Sequence, residues 1–320
     1  MALSRAIRVT TRVGRHWLGM AGIITNAQLC AQPARRRVLA QRLASAALLV
    51  LLATGFAHSE SQPDQSPSYH ARINAAREQQ RSLLADQISK LTPQRPGVVD
   101  FYFIAVAGYG DQNVFRKEAE RVRTLFDTRF GTRGRSILLV NNPATLTIYP
   151  LATPENLRAV LHAVRKRIDP AEDVLVLFLT SHGAPRAGLT FELAGRELGP
   201  MTPHGLAAAL ASAGIRRRIV IVSACYSGQF VPALQDEQTL VITAAAANRS
   251  SFGCTNTAEW TWFGEAFFKR ALPAAGRFVP AFARARAMIA ERERRSGYLH
   301  SRPQLSLGAT MARVLGENGF

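Results

Sequence analysis

The fold is decided by two short stretches, VLVLFLTSHG (residues 174–183) and RIVIVSACYSG (residues 218–228). Each is a nearly continuous apolar run that ends in small and polar residues. Runs this short and this apolar are typical of strands buried on both faces, as in a parallel sheet. The segment between them has room for one hairpin and one helix, so the two strands can be neighbours. His182 and Cys225 would then follow two strands at the same edge of the sheet.

Other apolar runs alternate with helical segments along the rest of the chain. Thr153-Pro154-Glu155 and Thr202-Pro203 each combine a Thr N-cap with a Pro at the first helical position, which predicts the start of a helix. Further strands are expected at 98–107, 137–140 and 240–243, and further helices at about 113–129, 260–272 and 278–294. This alternation predicts an α/β domain with helices on both faces of the sheet. In such domains the chemistry lies in loops at the carboxyl ends of the strands.

The formal net charge of +18 is unevenly distributed along the chain. Residues 1–57 contain eight arginines and no acid, and the remainder carries a net charge of +10. The basic residues of that remainder are scattered, whereas a nucleic-acid-binding module shows a basic stripe in a recognisable motif. We therefore expect no nucleic-acid partner, and we interpret the charge as favouring solubility or contact with an anionic membrane surface.

The N-terminal part of the chain has the character of a targeting segment. Residues 43–57, LASAALLVLLATGFA, follow a run of arginines. A membrane-spanning helix needs about 20 apolar residues, so this run better fits the core of a signal peptide. We expect a signal peptide or N-terminal membrane anchor over 1–57, a linker and peripheral helix over 58–95, and the folded domain over 96–320. A periplasmic or secreted protein, or one anchored to the inner membrane, follows from this division.

The chain has three cysteines, Cys30, Cys225 and Cys254. None of the spacings between them is that of a zinc finger or a CxxC motif, so we expect no metal site. If the N-terminal segment is removed, Cys225 and Cys254 remain and could form a disulfide in an oxidising compartment.

The residues after the two strands have the right types for nucleophilic catalysis. A cysteine is a useful nucleophile only as the thiolate, and a nearby imidazolium lowers its pKa. Gly183 has no Cβ, so its backbone N–H can approach a substrate carbonyl and form an oxyanion hole with the N–H of Cys225. A single histidine after a strand is usually a surface or core residue, and a single buried cysteine is usually a small apolar residue. Their joint placement at strand ends favours catalysis by His182 and Cys225.

These two blocks resemble the His-Gly and Ala-Cys signatures of the caspase-like peptidases. Together with further blocks, the sequence is similar to the legumain-like (C13) cysteine peptidases, and to their bacterial members in particular, from about Phe101 to Leu307. The further blocks are AGYGDQNVFRKEAE, LVNNPATL, LVITAAAANRSSFGC, WTWFGEAFF and RPQLSLG. The resemblance implies a three-layer α/β/α sandwich with a mostly parallel central sheet, no cofactor and no metal, and a protein or peptide substrate. The targeting segment predicts a place in the bacterial cell envelope.

The resemblance also assigns roles to individual residues. His182 corresponds to the general base and Cys225 to the nucleophile, and Asn113 is a third candidate that would orient the base. A turn or capping role is the alternative for Asn113. Cys254 matches a position that we interpret as a buried structural thiol.

The family's specificity pocket holds an arginine, a serine and two acids. The matching positions here are Arg116, Ser250 or Ser251, and Glu265. The second acid would stand at Ser223, two residues before the nucleophile, where this chain has none. Preference for Asn, for Asp or for a broader set before the cleaved bond stays open.

The reaction implied is hydrolysis of a peptide bond through a thioester on Cys225. Two alternatives stay open at this point. The same pair could act as a transpeptidase or transamidase if an amine captures the thioester, or the chain could be a non-catalytic binding protein that retains the fold.

Overall fold

A computed structural model describes residues 79–317 of the chain, together with Ala71 and Ala75. The predicted targeting segment 1–57 lies outside the described residues. The centre of the molecule is a six-stranded sheet. Its strands are β1 (Phe101–Ala107), β2 (Ser136–Val140), β3 (Val174–Thr180), β4 (Arg218–Ser223), β5 (Thr239–Thr243) and β6 (Gln304–Leu307). Their order across the sheet is β6-β5-β4-β3-β1-β2. All neighbouring pairs are parallel except β5 and β6.

Burial explains why these segments form strands. Every residue of β1 and of β3 is buried, as expected for apolar runs covered on both faces. Between β3 and β4 the register pairs Leu175 with Arg218 and Thr180 with Ser223. The two strands that the sequence singled out are therefore adjacent, and their carboxyl ends are level.

Helices cover both faces of the sheet. On one face lie α1 (Gln80–Ser89), α3 (Pro154–Arg165), α4 (Pro203–Ala213) and the short α5 (Val231–Leu234). On the other lie α2 (Asn113–Arg129), α6 (Trp262–Gly264), α7 (Leu272–Ala275), α8 (Phe278–Ser296) and α9 (Ala309–Glu317). This is a three-layer α/β/α sandwich with a mostly parallel sheet, and the predicted fold class is confirmed.

Two helices begin as their residue types predict. The Thr153 side chain accepts a hydrogen bond from Asn156 N at 3.1 Å, and the Thr202 side chain accepts one from Gly205 N at 3.0 Å. A proline follows each threonine, where the missing N–H costs nothing.

Some elements were not foreseen. Strand β6 is a short antiparallel edge strand with exposed or half-buried residues, so its apolar signal is weak. Two small hairpins follow β3, pairing Gly183–Ala184 with Gly188–Leu189 and Glu192–Leu193 with Arg196–Glu197. The helix expected over 260–272 is instead a π-helix over Glu265–Ala271, placed between α6 and α7.

The peripheral helix α1 is fastened to the domain. Gln87 Oε1 accepts a hydrogen bond from Leu138 N at 3.1 Å, and the Leu91 side chain just beyond the helix is buried in the core under that face. None of the helices formed by the described residues has the length and apolar character that crossing a bilayer requires.

Candidate active site

His182 and Cys225 meet at the carboxyl edge of the sheet. Strand β3 ends at Thr180 and β4 ends at Ser223, and these two residues are paired in the register. Each candidate lies two residues further along its chain segment. Both line the same small pocket, a cavity of about 10 Å³. A cavity of that size holds about one water molecule.

Aromatic rings enclose the His182 side chain. The ring centroids of Tyr109 and Phe115 lie 4.4 Å and 5.1 Å from that of His182, both in edge-to-face geometry. His182 is only 3% exposed, and this burial lowers the pKa of its imidazole from 6.5 to about 4. The imidazole is therefore neutral at physiological pH, because a charged ring would lose its hydration here.

Cys225 lies in a sharp turn between β4 and a 3₁₀ helix over Ser227–Phe230. The next residue, Tyr226, has a φ of 57°, a left-handed conformation that non-glycine residues rarely adopt. The Cys225 Sγ accepts a hydrogen bond from Ser251 N at 3.2 Å and is 3.5 Å from Ser251 O. Burial raises the pKa of the Cys225 thiol, although hydrogen bonds from the Ser251 backbone and the Ser250 side chain oppose this.

The resting pair therefore differs from the thiolate and imidazolium that the sequence suggested. Burial acts on both groups in the same sense, since it disfavours the charged form of each. It raises the pKa of Cys225 and lowers the pKa of His182. In this conformation the pair is a neutral thiol beside a neutral imidazole, and an ion pair would have to form during the reaction.

Gly183 is held against the backbone of Cys225. A Cβ added at position 183 would lie 2.1 Å from the Cys225 carbonyl oxygen, so no side chain fits there. The sequence suggested glycine at this position for its approach to a substrate, and the structure adds a second reason, the approach of one strand end to the other.

Asn113 begins helix α2, and its described hydrogen bonds are to two other asparagines. Its Oδ1 accepts a hydrogen bond from Asn142 Nδ2 at 3.1 Å, and its N–H donates to Asn256 Oδ1 at 3.1 Å. Neither contact is a helix cap, since the N-cap residue of α2 is Gln112, and neither contact involves His182. The role of Asn113 in orienting the base stays a prediction.

Two predicted specificity residues lie in separate ion-pair clusters. Arg116 pairs with Glu120 one turn along α2, at 3.0 Å. Glu265 accepts hydrogen bonds from Arg270 at 2.6 Å and from Arg292 at 2.8 Å. Burial raises the pKa of Glu265, but these two arginines outweigh it and leave the pKa below its ordinary value. Neither Arg116 nor Glu265 lines the cavity of His182 and Cys225.

The predicted serines and the position of the missing acid lie much nearer to the pair. Ser251 contacts the Cys225 sulfur, as described above, and lines the same cavity. Ser223 also lines it, and its Oγ is 3.2 Å from Thr261 Oγ1. A buried acid does lie beside Ser223, although it comes from helix α2. It is Glu118, whose pKa is raised by burial, although hydrogen bonds from Thr180 and Thr261 oppose this.

Cys225 takes part in no disulfide, so the Cys225–Cys254 pairing that the sequence left open does not form. Cys254 is buried and disulfide-bonded, so it is a structural residue, as expected, but the expectation that it is a thiol is wrong. In the described part of the chain, no group of three or more His, Cys, Asp and Glu side chains could hold a metal ion.

Sequence reasoning missed three residues that build the site, Tyr109, Phe115 and Glu118. All three lie in or beside the block AGYGDQNVFRKEAE, and the second and third are buried on helix α2. A signal for Glu118 was present. It lies on the same helical face as the buried Val114, Phe115 and Val122, where an acid is unexpected.

Comparison with known proteins finds a family and a similar solved structure. A model of the peptidase C13 family matches residues 151–313, which is just over half of the chain and includes His182 and Cys225. Among solved structures, the chain is similar to caspase-1 from Spodoptera frugiperda, with a TM-score of 0.44 and 11% identity over 68% of this chain and 92% of that one. No curated protein matches the sequence.

Proposed function

Since the chain belongs to the peptidase C13 family, we propose that it is a cysteine endopeptidase with Cys225 as nucleophile and His182 as general base and acid. One observation carries the proposal. These two side chains line the same cavity at the level ends of two adjacent parallel strands. A nucleophile and a base brought together by two rigid strands is the arrangement that covalent catalysis needs.

The first half of the reaction forms a thioester. His182 takes the Sγ proton as the sulfur attacks the carbonyl carbon of the peptide bond. The developing oxyanion is stabilised by backbone N–H groups, for which Gly183 and Cys225 are the candidates. His182 then gives its proton to the leaving amine, the C–N bond breaks, and the acyl group remains on sulfur.

The second half releases the acyl group. His182 takes a proton from water as the water oxygen attacks the thioester carbon. The C–S bond then breaks, the acyl group leaves as a carboxylic acid, and His182 returns its proton to the Cys225 sulfur. An amine in place of water would give transpeptidation by the same steps. The starting pair is neutral, so the ion pair exists only as an intermediate along this path.

Substrate entry requires the site to open. A cavity of about 10 Å³ has no room for a peptide bond. Its walls include Phe115 and Phe252, and the latter stacks on Tyr298 with centroids 4.6 Å apart. We infer that these side chains shift when substrate binds, which also explains why both reacting groups are buried in its absence.

Specificity and location complete the proposal. Arg116, Glu265, Ser250 and Ser251 would select the residue before the cleaved bond, with Asn or Asp as the first candidates. The chain would act in the bacterial cell envelope, with residues 1–57 as its targeting or anchoring segment. N-terminal sequencing of the protein from its native host tests the last point, and a start at Met1 or Met20 on cytoplasmic protein would contradict it.

A peptide library derived from a proteome tests the activity itself. Incubation with the wild type should give new N-termini with a shared residue before the cut, and Cys225→Ala should give none. Added hydroxylamine or an amino-acid amide should appear on the new C-termini if amines compete with water. A wild type that cleaves nothing in the library, under conditions where it is folded, would favour the non-catalytic alternative.

A further inference from the structure

A buried carboxyl group lies next to the two strand ends that carry the catalytic pair. Glu118 of helix α2 is 0% exposed. Thr180 Oγ1, at the end of β3, donates a hydrogen bond to Glu118 Oε2 at 2.6 Å. Thr261 donates to Glu118 Oε1 twice, from its hydroxyl at 2.7 Å and from its backbone N–H at 3.2 Å.

The end of β4 belongs to the same hydrogen-bonded cluster around Glu118. Ser223 Oγ is 3.2 Å from Thr261 Oγ1, which itself donates to Glu118, so Ser223 is connected to the carboxyl group through Thr261. Thr180 and Ser223 are paired across the two strands, and each stands two residues before His182 or Cys225. The carboxyl group therefore links both strand ends to the Thr261 turn, which itself caps α6 through Gly264 N at 2.9 Å.

The fit around this group is close. A Cβ at position 264 would lie 1.8 Å from Glu118 Oε1, so only glycine allows the approach. All the hydrogen bonds described for the carboxyl group come from hydroxyls and one backbone amide, with no lysine or arginine among the donors. Burying an acid without a counter-charge costs stability, and an apolar side chain would cost less. Such a local cost is typical of a functional site.

We propose that Glu118 is a positioning residue for the catalytic pair: it holds the ends of β3 and β4 and the Thr261 turn together, so that His182 and Cys225 stay aligned in one pocket. The assignment rests on the proposed function, because it gives Glu118 no chemistry of its own. Misplacement of a reacting group by about 1 Å can cost about 100-fold in rate, so small shifts of these strand ends matter.

The test uses a matched pair of buried threonines at strand ends. Thr180→Val keeps the shape of the side chain and removes the bond to Glu118. Thr243→Val makes the same change at the end of β5, where the hydroxyl donates to Ala245 O at 3.0 Å. We expect Thr180→Val to lower kcat about tenfold with KM nearly unchanged, and Thr243→Val to leave kcat unchanged at a similar melting temperature.

A second variant and a double variant separate positioning from stability. Glu118→Gln should lower kcat at least as far as Thr180→Val. The double variant should be no slower than Glu118→Gln alone, because both changes break the same link. Losses that multiply in the double variant, or a kcat for Thr180→Val equal to that of Thr243→Val, would overturn the proposal.

Alkylation of Cys225 by iodoacetamide makes the test independent of any peptide substrate. Its rate at neutral pH, followed by intact mass, should fall in Thr180→Val and Glu118→Gln but not in Thr243→Val, because His182 would no longer be aligned to take the thiol proton. Equal rates in all three variants would count against Glu118. Slower alkylation in a protein that cleaves no peptide would instead leave the positioning role standing and refute the endopeptidase.

Discussion

Two buried acids at opposite ends of the central sheet, Asp100 and Glu118, have different kinds of partner. At the amino end, Asp100 is 2% exposed and pairs with Arg95 at 2.7 Å and with Arg135 at 3.2 Å. At the carboxyl end, Glu118 is also buried, but its partners are hydroxyls and a backbone amide. Arginines neutralise Asp100, whereas neutral polar groups surround Glu118.

This difference separates a structural edge from a reactive one. Paired charges at the amino end tie strands together, and removing one partner leaves an uncompensated buried charge. At the carboxyl end, desolvation keeps the thiol and the imidazole neutral, so both can exchange protons with a substrate. Changes at the amino end should therefore alter stability, and changes at the carboxyl end should alter catalysis.

The largest effect is expected at the carboxyl end. His182→Gln should lower kcat by about 10³-fold or more, since it removes the base while keeping much of the side-chain volume. His162→Gln, an exposed histidine on α3, is the control and should change nothing. Measurement of kcat on folded protein decides the matter, and a loss below about tenfold would mean that another group is the base.

The amino end should respond in stability. Asp100→Ala should lower the free energy of unfolding by about 3–5 kcal/mol, because Arg135 would stay buried without its partner. Asp86→Ala, which breaks the exposed pair with Lys90, should cost less than about 1 kcal/mol. Urea unfolding measures both. If Asp100→Ala instead abolished turnover in the folded fraction, the two edges would not differ as described.

The pH dependence follows from the depressed pKa of His182. A base with a pKa of about 4 stays functional in mild acid, so the acid limb of kcat/KM should lie near pH 4 and not near the ordinary 6.5. Rate profiles on a good peptide substrate measure this limb. A limb at 6 to 7 would show that His182 is solvated in the free enzyme.

The same shift makes a stability prediction. Between about pH 4 and 6.5 the unfolded chain binds a proton that the folded chain does not, so acid favours unfolding. His182 should contribute about 3 kcal/mol of pH-dependent stability, present above pH 6.5 and lost as the pH falls through about 4. His182→Gln should show a smaller loss over that range in urea unfolding, and an identical loss would contradict the burial account.

The smallest effect concerns specificity. Arg116→Ala should lower turnover of substrates with Asn or Asp before the cut by several-fold, whereas Arg123→Ala on the same helix should not. The two are matched because each makes an i,i+4 pair, with Glu120 and with Asp127. Equal turnover in both variants would contradict the assignment of Arg116 to the specificity pocket. It would leave the assignment of His182 and Cys225 as the catalytic pair unchanged.

Much of the architecture was readable from local pattern. A few consecutive residues are enough to predict a buried strand from a continuous apolar run, such as 174–179. The same holds for the start of a threonine-capped helix. The placement of His182 and Cys225 also followed, because parallel strands bring their carboxyl ends to one edge. Their neutral state did not follow, since it depends on rings contributed from another part of the chain, at Tyr109 and Phe115.

The contacts of the proposed specificity residues could not be predicted from the sequence. Arg116 pairs with Glu120 and Glu265 with Arg292, and these pairs depend on which way each helical side chain faces. Glu118 was overlooked because its partners are distant in the sequence. Its partners, Thr180 and Thr261, are 62 and 143 residues away along the chain.

The central claim is that Cys225 and His182 form one reactive pair at the carboxyl edge of the sheet. Labelling with a peptide acyloxymethyl ketone, followed by mapping of the modified residue, tests it directly. We predict one label per chain, on Cys225, absent in Cys225→Ala and strongly slowed in His182→Gln. Labelling that persists in Cys225→Ala, or that proceeds at the wild-type rate in His182→Gln, would contradict the account.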